Sequence, residues 1–176
     1  DETDVPIAFA QMPFDHPLYI LYSSGTTGIP KCIVHRAGGI LLKHLSEIVL
    51  NSDVKPGDRL FYFTTCGWMM WNWLVSGLAA GATLLLYDGS PFHPSEQALF
   101  DFADAEDMTI FGTSAKYIDS VRKTGWRARD THKLANLRTM MSTGSPLSAE
   151  NFDFVYDAVK PDIHLLGMFL AADFAR

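Results

Sequence analysis

The residues with the clearest chemical potential lie in one short run, residues 22–31, where hydroxylated side chains and glycines precede a lysine. The hydroxyls can donate hydrogen bonds to phosphate oxygens, and the lysine adds a compact positive charge. The glycines permit backbone angles closed to other residues and let amide groups approach an anion. The run therefore predicts a phosphate-binding loop. Its candidate ligands are Ser23, Ser24, Gly25, Thr26, Thr27, Gly28 and Lys31.

Apolar residues flank this loop at 18–22 and 32–34, and both flanks have the composition of strands. A Walker A loop ends in Gly-Lys-Ser/Thr, whereas here Pro30 precedes Lys31 and Cys32 follows it. The sequence also has no Gly-x-Gly-x-x-Gly run. Both observations disfavour a P-loop NTPase and a dinucleotide-binding fold. A Ser/Thr/Gly connector that binds nothing remains the alternative.

The composition predicts one sizeable globular core, since 48% of the 176 residues are apolar. The net charge of −6, without a Lys/Arg cluster, argues against a nucleic-acid footprint. The two cysteines, Cys32 and Cys66, form neither a disulfide framework nor a metal-ligand spacing. They favour a reducing compartment such as the cytoplasm, and no residue is assigned as a metal ligand. The absence of an initiator methionine predicts a start after processing or within a longer protein.

The elements that must position these residues alternate along the chain. Strands are predicted at 18–22, 60–63, 83–87, 109–111, 137–141 and 163–165. Helices are predicted at 36–51, after Trp68, from His93–Pro94, from the N-cap Ser114 to Gly125, and from the N-cap Ser148 to Pro161, with Tyr156 on the last helix's apolar face. Residues 126–136 are predicted to be a solvated excursion.

This alternation predicts an α/β domain, a layered parallel β-sheet flanked by helices. Four loops follow predicted strands, at 22–31, 64–68, 112–114 and 142–147. The carboxyl ends of parallel strands meet at one edge of a sheet, so we expect a ligand at that edge to contact all four loops.

Residues 60–87 contain no charged side chain over a length that would span a bilayer. Glycines at 77 and 81, and the change to a short apolar strand, divide the segment into a buried helix, a turn and a strand. We therefore reject a transmembrane helix.

The aromatic stripe after residue 67 has two interpretations. Trp68, Met69 and Trp71 could belong to the core, which is the commoner fate of such stripes. They also directly follow the end of a predicted strand, where ligands of open α/β sheets bind. They are therefore candidate substrate-binding residues.

The order Ser-Ser-Gly-Thr-Thr-Gly-x-Pro-Lys closely resembles the phosphate loop of the adenylate-forming enzymes, which include acyl-CoA synthetases, luciferases and peptide-synthetase adenylation domains. Within that superfamily, the runs at 66–73, 86–91 and 142–147 are similar to the acetoacetyl-CoA synthetases in particular. The resemblance extends from about Phe14 to about Leu165, and it covers well under half of a complete family member.

The resemblance implies ATP, Mg²⁺ and CoA as cofactors, acetoacetate or a similar short carboxylic acid as substrate, and no nucleic-acid or membrane partner. It implies that the carboxylate is joined to AMP with loss of pyrophosphate, after which the acyl group passes to the thiol of CoA. The implied site consists of the 23–31 loop on the β and γ phosphates, with Lys31 and Thr26 as the candidate catalytic residues. It also includes Gly144, Ser145 and Pro146 on the adenine, and Trp68, Met69 and Trp71 in the acid pocket.

The sequence departs from the family pattern after Leu165, where the family continues into a Gly-Gly-Thr-Asp type segment. We expect an extended lead-in at 1–17, a partial AMP-binding domain at 18–165, a divergent tail at 166–176 and no carboxyl-terminal domain. Such a fragment is expected to be inactive alone. The alternative is a non-catalytic nucleotide-binding or interaction module.

Overall fold

The computed structural model describes residues 8–23 and 29–167 and divides the chain into two compact units, Asp1–Lys43 and His44–Arg176. In the first unit, β1 (Pro17–Ser23) and β2 (Lys31–Arg36) form an antiparallel hairpin. Helix α1 (Ala37–Leu45) follows β2, and the second unit begins within it at His44 and continues with a π-helical segment (Ser46–Asn51). The predicted helix at 36–51 is thus confirmed.

The hairpin corrects the prediction that the strand at 18–22 belongs to the parallel sheet. β1 pairs only with β2 within the described residues, and Ser23 lies opposite Lys31 across the hairpin. The seven residues 24–30 that separate these strands are too few for a parallel crossover, which needs a dozen or more. The 22–31 loop therefore does not follow a strand of the main sheet.

The second unit is built on a five-stranded parallel sheet in the order β4-β3-β5-β6-β7. Its strands are β3 (Arg59–Tyr62), β4 (Thr83–Leu85), β5 (Ile110–Ser114), β6 (Thr139–Thr143) and β7 (His164–Gly167). Its α-helices are α2 (Met69–Ser76), α3 (Ala98–Ala105), α4 (Ala115–Thr124) and α5 (Ala149–Phe154). Short 3₁₀ segments (Gly77–Ala80, Ala128–Asp130) and a π-helical segment (Val155–Val159) complete the unit. The predicted α/β fold class is confirmed.

Apolar side chains cover both faces of this sheet, because alternate residues of each strand point to opposite faces. The near-continuous apolar runs of the central strands follow from burial on both faces. The first core cluster joins Phe61, Phe111 and Met140 to α3 and α4. The second core cluster joins Leu60, Tyr62, Ile110 and Met141 to α2.

The starts of α4 and α5 test the two helix N-caps that the sequence predicts. The Ser114 hydroxyl accepts a hydrogen bond from the Tyr117 amide at 3.1 Å, so the predicted N-cap of α4 is confirmed. Ser148 occupies the N-cap position of α5, as the sequence predicts, but its side chain makes no capping hydrogen bond. The pKa of the exposed Glu150 carboxyl is lowered, first by a hydrogen bond from its own backbone amide and then by one from the Ser148 hydroxyl. Tyr156, predicted on the apolar face, is 39% exposed.

The predicted helix start at His93–Pro94 is wrong, since α3 begins at Ala98. Turns and bends occupy most of residues 91–97. In this segment the hydroxyls of Ser90 and Ser95 accept hydrogen bonds from the backbone amides two residues further on, at 3.2 and 3.3 Å. Such local bonds offer the backbone an alternative to the helix.

Residues 126–136 are only partly the solvated excursion that the sequence predicts. Ala128 and Leu134 are buried in the first core cluster. The Lys160 ammonium donates hydrogen bonds to the carbonyls of Leu134 and Leu137, at 2.9 and 2.6 Å. A charged side chain from beyond α5 thus fixes this loop, which no local pattern could indicate.

The uncharged segment at 60–87 contains β3, α2, a 3₁₀ turn and β4, as its glycines predict. Across the described ranges, 8–23 and 29–167, no helix is long and apolar enough to cross a membrane.

An ion pair joins the starts of two strands. The Arg138 guanidinium, just before β6, donates to both carboxylate oxygens of Asp58, just before β3, at 2.7 and 2.5 Å. Lysine has no planar fork and cannot make both bonds. We expect Arg138→Lys to lower the free energy of unfolding by about 1–2 kcal/mol in urea titrations. Arg129→Lys is the control, because that guanidinium is exposed and donates to one carbonyl; equal losses would contradict the prediction.

Candidate functional site

The candidate site lies at the carboxyl edge of the parallel sheet. β3, β5 and β6 are neighbours in the sheet and run in the same direction, so their carboxyl ends lie side by side. The segments at 64–68, 112–114 and 142–147 therefore share one edge, as the sequence predicts. The fourth predicted segment, 22–31, belongs to the hairpin of the other unit.

The residues of the aromatic stripe at the start of α2 differ in burial, and each of the two interpretations fits some of them. Met69 and Trp71 are half-buried and pack against the second core cluster. Trp68 is 68% exposed, and its amide donates a hydrogen bond to the carbonyl of Thr65 at 3.1 Å. This turn holds an indole ring at the edge of the sheet, where the ring can contact a ligand. Met69 and Trp71 can support that ligand from the core side.

A tight turn follows β6, as the sequence predicts. Gly144 has φ of +90°, in the left-handed region that favours glycine. A Cβ atom at this position would meet no atom within 4 Å, so the backbone conformation, not crowding, requires glycine here. Ser145 and Pro146 follow it and are exposed. The turn can present backbone and hydroxyl groups to a flat ring.

Two buried hydroxyl groups lie beneath this edge and were not singled out by the sequence. Thr113 and Ser142 are 0% and 1% exposed, and they are partners in the pairing of β5 with β6. Neither hydroxyl has a hydrogen-bond partner within the described residues. Their sequence signal is weak, because a hydroxyl near a strand end is usually solvated.

Tyr62, the last residue of β3, is a further residue that sequence reasoning missed. Its hydroxyl donates a hydrogen bond to the Thr113 carbonyl at 3.0 Å, and its side chain is almost completely buried. Burial raises the pKa of Tyr62 far above its ordinary value, so the phenol stays a neutral donor. No pattern along the chain indicates this residue, because Gly112 lies opposite the ring only through the pairing of β3 with β5.

The predicted phosphate-binding residues belong to the hairpin. Lys31 is the first residue of β2 and is exposed, and Ser23, the last residue of β1, lies opposite it. Residues 24–28, which include the other predicted ligands Ser24, Gly25, Thr26, Thr27 and Gly28, lie outside the described residues. Their phosphate-binding role stays a prediction. In the described part of the chain, no group of three acidic, histidine or cysteine side chains could hold a metal ion.

Comparison with known protein families defines the class. The model of the AMP-binding enzyme family matches residues 3–169, nearly the whole chain. The chain therefore belongs to the AMP-binding enzyme family.

The similar relatives narrow that class. An acetoacetyl-coenzyme A synthetase of Rhizobium meliloti (strain 1021) is 65% identical over 160 residues, which are 91% of this chain and 25% of the relative. A malonamoyl-CoA synthetase of Penicillium aethiopicum is 47% identical over 173 residues, with 90% of this chain and 24% of the relative covered. The solved acetoacetyl-CoA synthetase of Streptomyces lividans has a TM-score of 0.88 and 44% identity, over 95% of this chain and 26% of that one. The chain thus spans about a quarter of the length of these relatives.

Neighbouring residues at the end of β5 allow a matched stability test. Ser114→Ala removes a capping acceptor and is expected to cost about 1 kcal/mol of unfolding free energy. Thr113→Val removes a buried hydroxyl that has no partner in the described residues and replaces it with a methyl group of similar shape. We expect Thr113→Val to be neutral or to stabilise by up to about 1 kcal/mol in urea titrations. A loss as large as that of Ser114→Ala would show that the Thr113 hydroxyl is bonded.

Proposed function

We propose that this chain is part of an ATP-dependent acid–thiol ligase that converts acetoacetate, ATP and CoA to acetoacetyl-CoA, AMP and pyrophosphate through an acyl-adenylate. The observation that carries the proposal is the 65% identity to an acetoacetyl-coenzyme A synthetase over 91% of the chain. The family match supports the nucleotide chemistry independently of that relative. A cytoplasmic location is part of the same proposal.

The names of the relatives also indicate the structure of the carboxylic acid substrate. Acetoacetyl and malonamoyl groups share a carbonyl two bonds from the reacting carboxyl carbon, and they differ only in a terminal methyl or amino group. Both names therefore favour a short acid with a carbonyl at its third carbon. Trp68, Met69 and Trp71 are the proposed acid-pocket residues, because they combine an exposed indole with two side chains anchored on the core. Acetoacetate is the proposed substrate.

The first chemical step joins a carboxylate oxygen of the acid to the α-phosphorus of ATP and releases pyrophosphate. Negative charge accumulates on the leaving pyrophosphate, so preorganised donors and a fixed cation lower the barrier most effectively there. Lys31 and the hydroxyls of Ser23, Ser24, Thr26 and Thr27 are the proposed stabilising groups. In the second step the thiol of CoA attacks the acyl carbon and AMP leaves.

The remaining parts of the nucleotide have proposed partners as well. Gly144, Ser145 and Pro146 are proposed to contact the adenine, since the left-handed glycine turns the chain sharply at the sheet edge. Mg²⁺, when bound, would neutralise charge on the phosphates. By resemblance, the acid that would hold it lies beyond Leu165 in complete family members.

The phosphate role of Lys31 is testable in a full-length enzyme that contains this segment. Lys31→Ala should lower acetoacetate-dependent ATP–pyrophosphate exchange by about 10- to 1000-fold, because one preorganised charge is lost. Lys55→Ala is the matched control, since it removes an exposed lysine whose ion-pair partner is the exposed Asp53. Unchanged exchange in Lys31→Ala would contradict the assignment, and a similar loss in both variants would show a general effect of charge.

The isolated 176-residue chain is expected not to catalyse this exchange. Adenylation also requires groups that hold the α-phosphate, the metal and the carboxylate in line, and such positioning supplies much of the rate. By resemblance, those groups lie beyond Leu165 in complete family members. The measurement is acetoacetate-dependent exchange by the isolated chain beside a full-length relative. A rate near that of the relative would show that these residues hold a complete site.

A further inference from the structure

We propose that Tyr62 is a positioning residue that limits the depth of the acid pocket, meaning the space beside Trp68, Met69 and Trp71. Its ring fills the space above Gly112 and closes the pocket beneath an acid of acetoacetate length. This inference rests on the proposed function and names the residue that limits the length of the carboxylic acid substrate. Sequence similarity alone does not assign this role to Tyr62.

The first observation is the close approach of the Tyr62 ring to the backbone of β5. Gly112 is the register partner of Tyr62 in the parallel pairing of β3 with β5. A Cβ atom built on Gly112 would lie 2.0 Å from Cδ2 of Tyr62 and 2.4 Å from Cε2. Any residue other than glycine at 112 must therefore move the ring. The ring lies where it does because the neighbouring strand has no side chain there.

The second observation is that two contacts hold the ring in this place. The hydroxyl donates to the Thr113 carbonyl of β5 at 3.0 Å. The ring also meets Trp73 of α2 edge to face, with centroids 6.0 Å apart and planes at 70°. Tyr62 is 3% exposed and Trp73 is 0% exposed, so both groups are packed. The ring is therefore a rigid wall, since two different elements fix its position.

The third observation links the Tyr62 ring to two of the candidate acid-pocket residues. Tyr62 is the last residue of β3, and the chain continues from it directly to Trp68 at the sheet edge. Tyr62 and Trp73 belong to the second core cluster, against which Met69 and Trp71 pack. Two of the three side chains proposed to contact the acid, Met69 and Trp71, thus rest on the cluster that contains the Tyr62 ring. A smaller residue at 62 opens space below them.

Substitution of Tyr62 or Gly112 is therefore expected to change the preference of the enzyme for one carboxylic acid over another. A pocket contact worth one methylene changes specificity by about 10- to 200-fold. We therefore expect Tyr62→Leu to raise kcat/KM for 3-oxohexanoate relative to acetoacetate by at least about tenfold. Gly112→Ala should push the ring toward the pocket and raise the KM for acetoacetate, with a smaller effect on the KM for ATP.

The experiment measures ATP–pyrophosphate exchange by a full-length enzyme that carries this segment, with each acid in turn. The ratio of the two kcat/KM values does not depend on the folded fraction of a variant, because both acids report on the same active molecules. Phe61→Leu is the matched control, since it also removes a buried aromatic from β3 but on the opposite face of the sheet. Tyr62→Phe, which keeps the ring, should keep the wild-type ratio within about threefold.

The outcomes separate the two proposals. A wild-type enzyme without acetoacetate-dependent exchange would overturn the proposed function. An active wild type whose ratio changes equally in Tyr62→Leu and Phe61→Leu, or in neither, would overturn the role of Tyr62. If Tyr62→Leu does not fold, Tyr62→Met applies the same test with a longer, flexible side chain. The double variant Tyr62→Leu/Gly112→Ala should restore the KM for acetoacetate toward that of Tyr62→Leu alone, because the added methyl no longer meets a ring.

Discussion

The parallel pairing of β3, β5 and β6 is the constraint on which the rest of the second unit depends. These strands are buried on both faces, so every backbone amide and carbonyl must find its partner in the sheet, and a shift of one residue would move the side chains of each cluster to the opposite face. The fixed register brings the three carboxyl ends to one edge. It also sets Tyr62 opposite Gly112 and Thr113 beside Ser142.

The register explains why a glycine inside a strand is tolerated here. Glycine in a strand interior usually weakens the strand, since it has more backbone freedom to lose and no side chain to pack. At residue 112 the ring of Tyr62 occupies the space of the missing side chain, and its hydroxyl adds a hydrogen bond to the next residue of the same strand. The loss within β5 is thereby offset by packing from β3.

Much of this architecture could be predicted from local patterns, because buried parallel strands have continuous apolar runs and are separated by amphipathic helices. The Ser114 cap was also predictable from a local pattern, because its acceptor and donor lie only three residues apart. The errors at predicted helix starts involve the hydrogen bonds of serine hydroxyls. Ser148 has a capping position but makes no capping hydrogen bond, and the hydroxyls of Ser90 and Ser95 accept hydrogen bonds from local amides where a helix start was expected.

The hairpin and the acid pocket show a different limit of sequence reasoning. The strand at 18–22 has the same apolar composition as the parallel strands, and only the short connection to β2 excludes a parallel crossover. For the candidate site, Trp68, Met69 and Trp71 were predictable from their place after a strand. The role inferred for Tyr62 depends on a neighbour 50 residues away, on β5, and no periodicity along one segment contains that information.

Charge and shape place different demands on a scaffold, and the two units differ accordingly. Coulombic attraction falls only as the inverse of distance, so a lysine such as Lys31 can stabilise a polyphosphate from an exposed strand end with some error in position. Discrimination between acids that differ by one carbon depends on packing, and a radial gap of about 0.5–1 Å already forfeits a quarter to a half of a contact's attraction. The groups proposed to select the acid therefore need rigid support. They rest on the core of the parallel sheet, where Tyr62 and Trp73 are almost fully buried and hold each other in place.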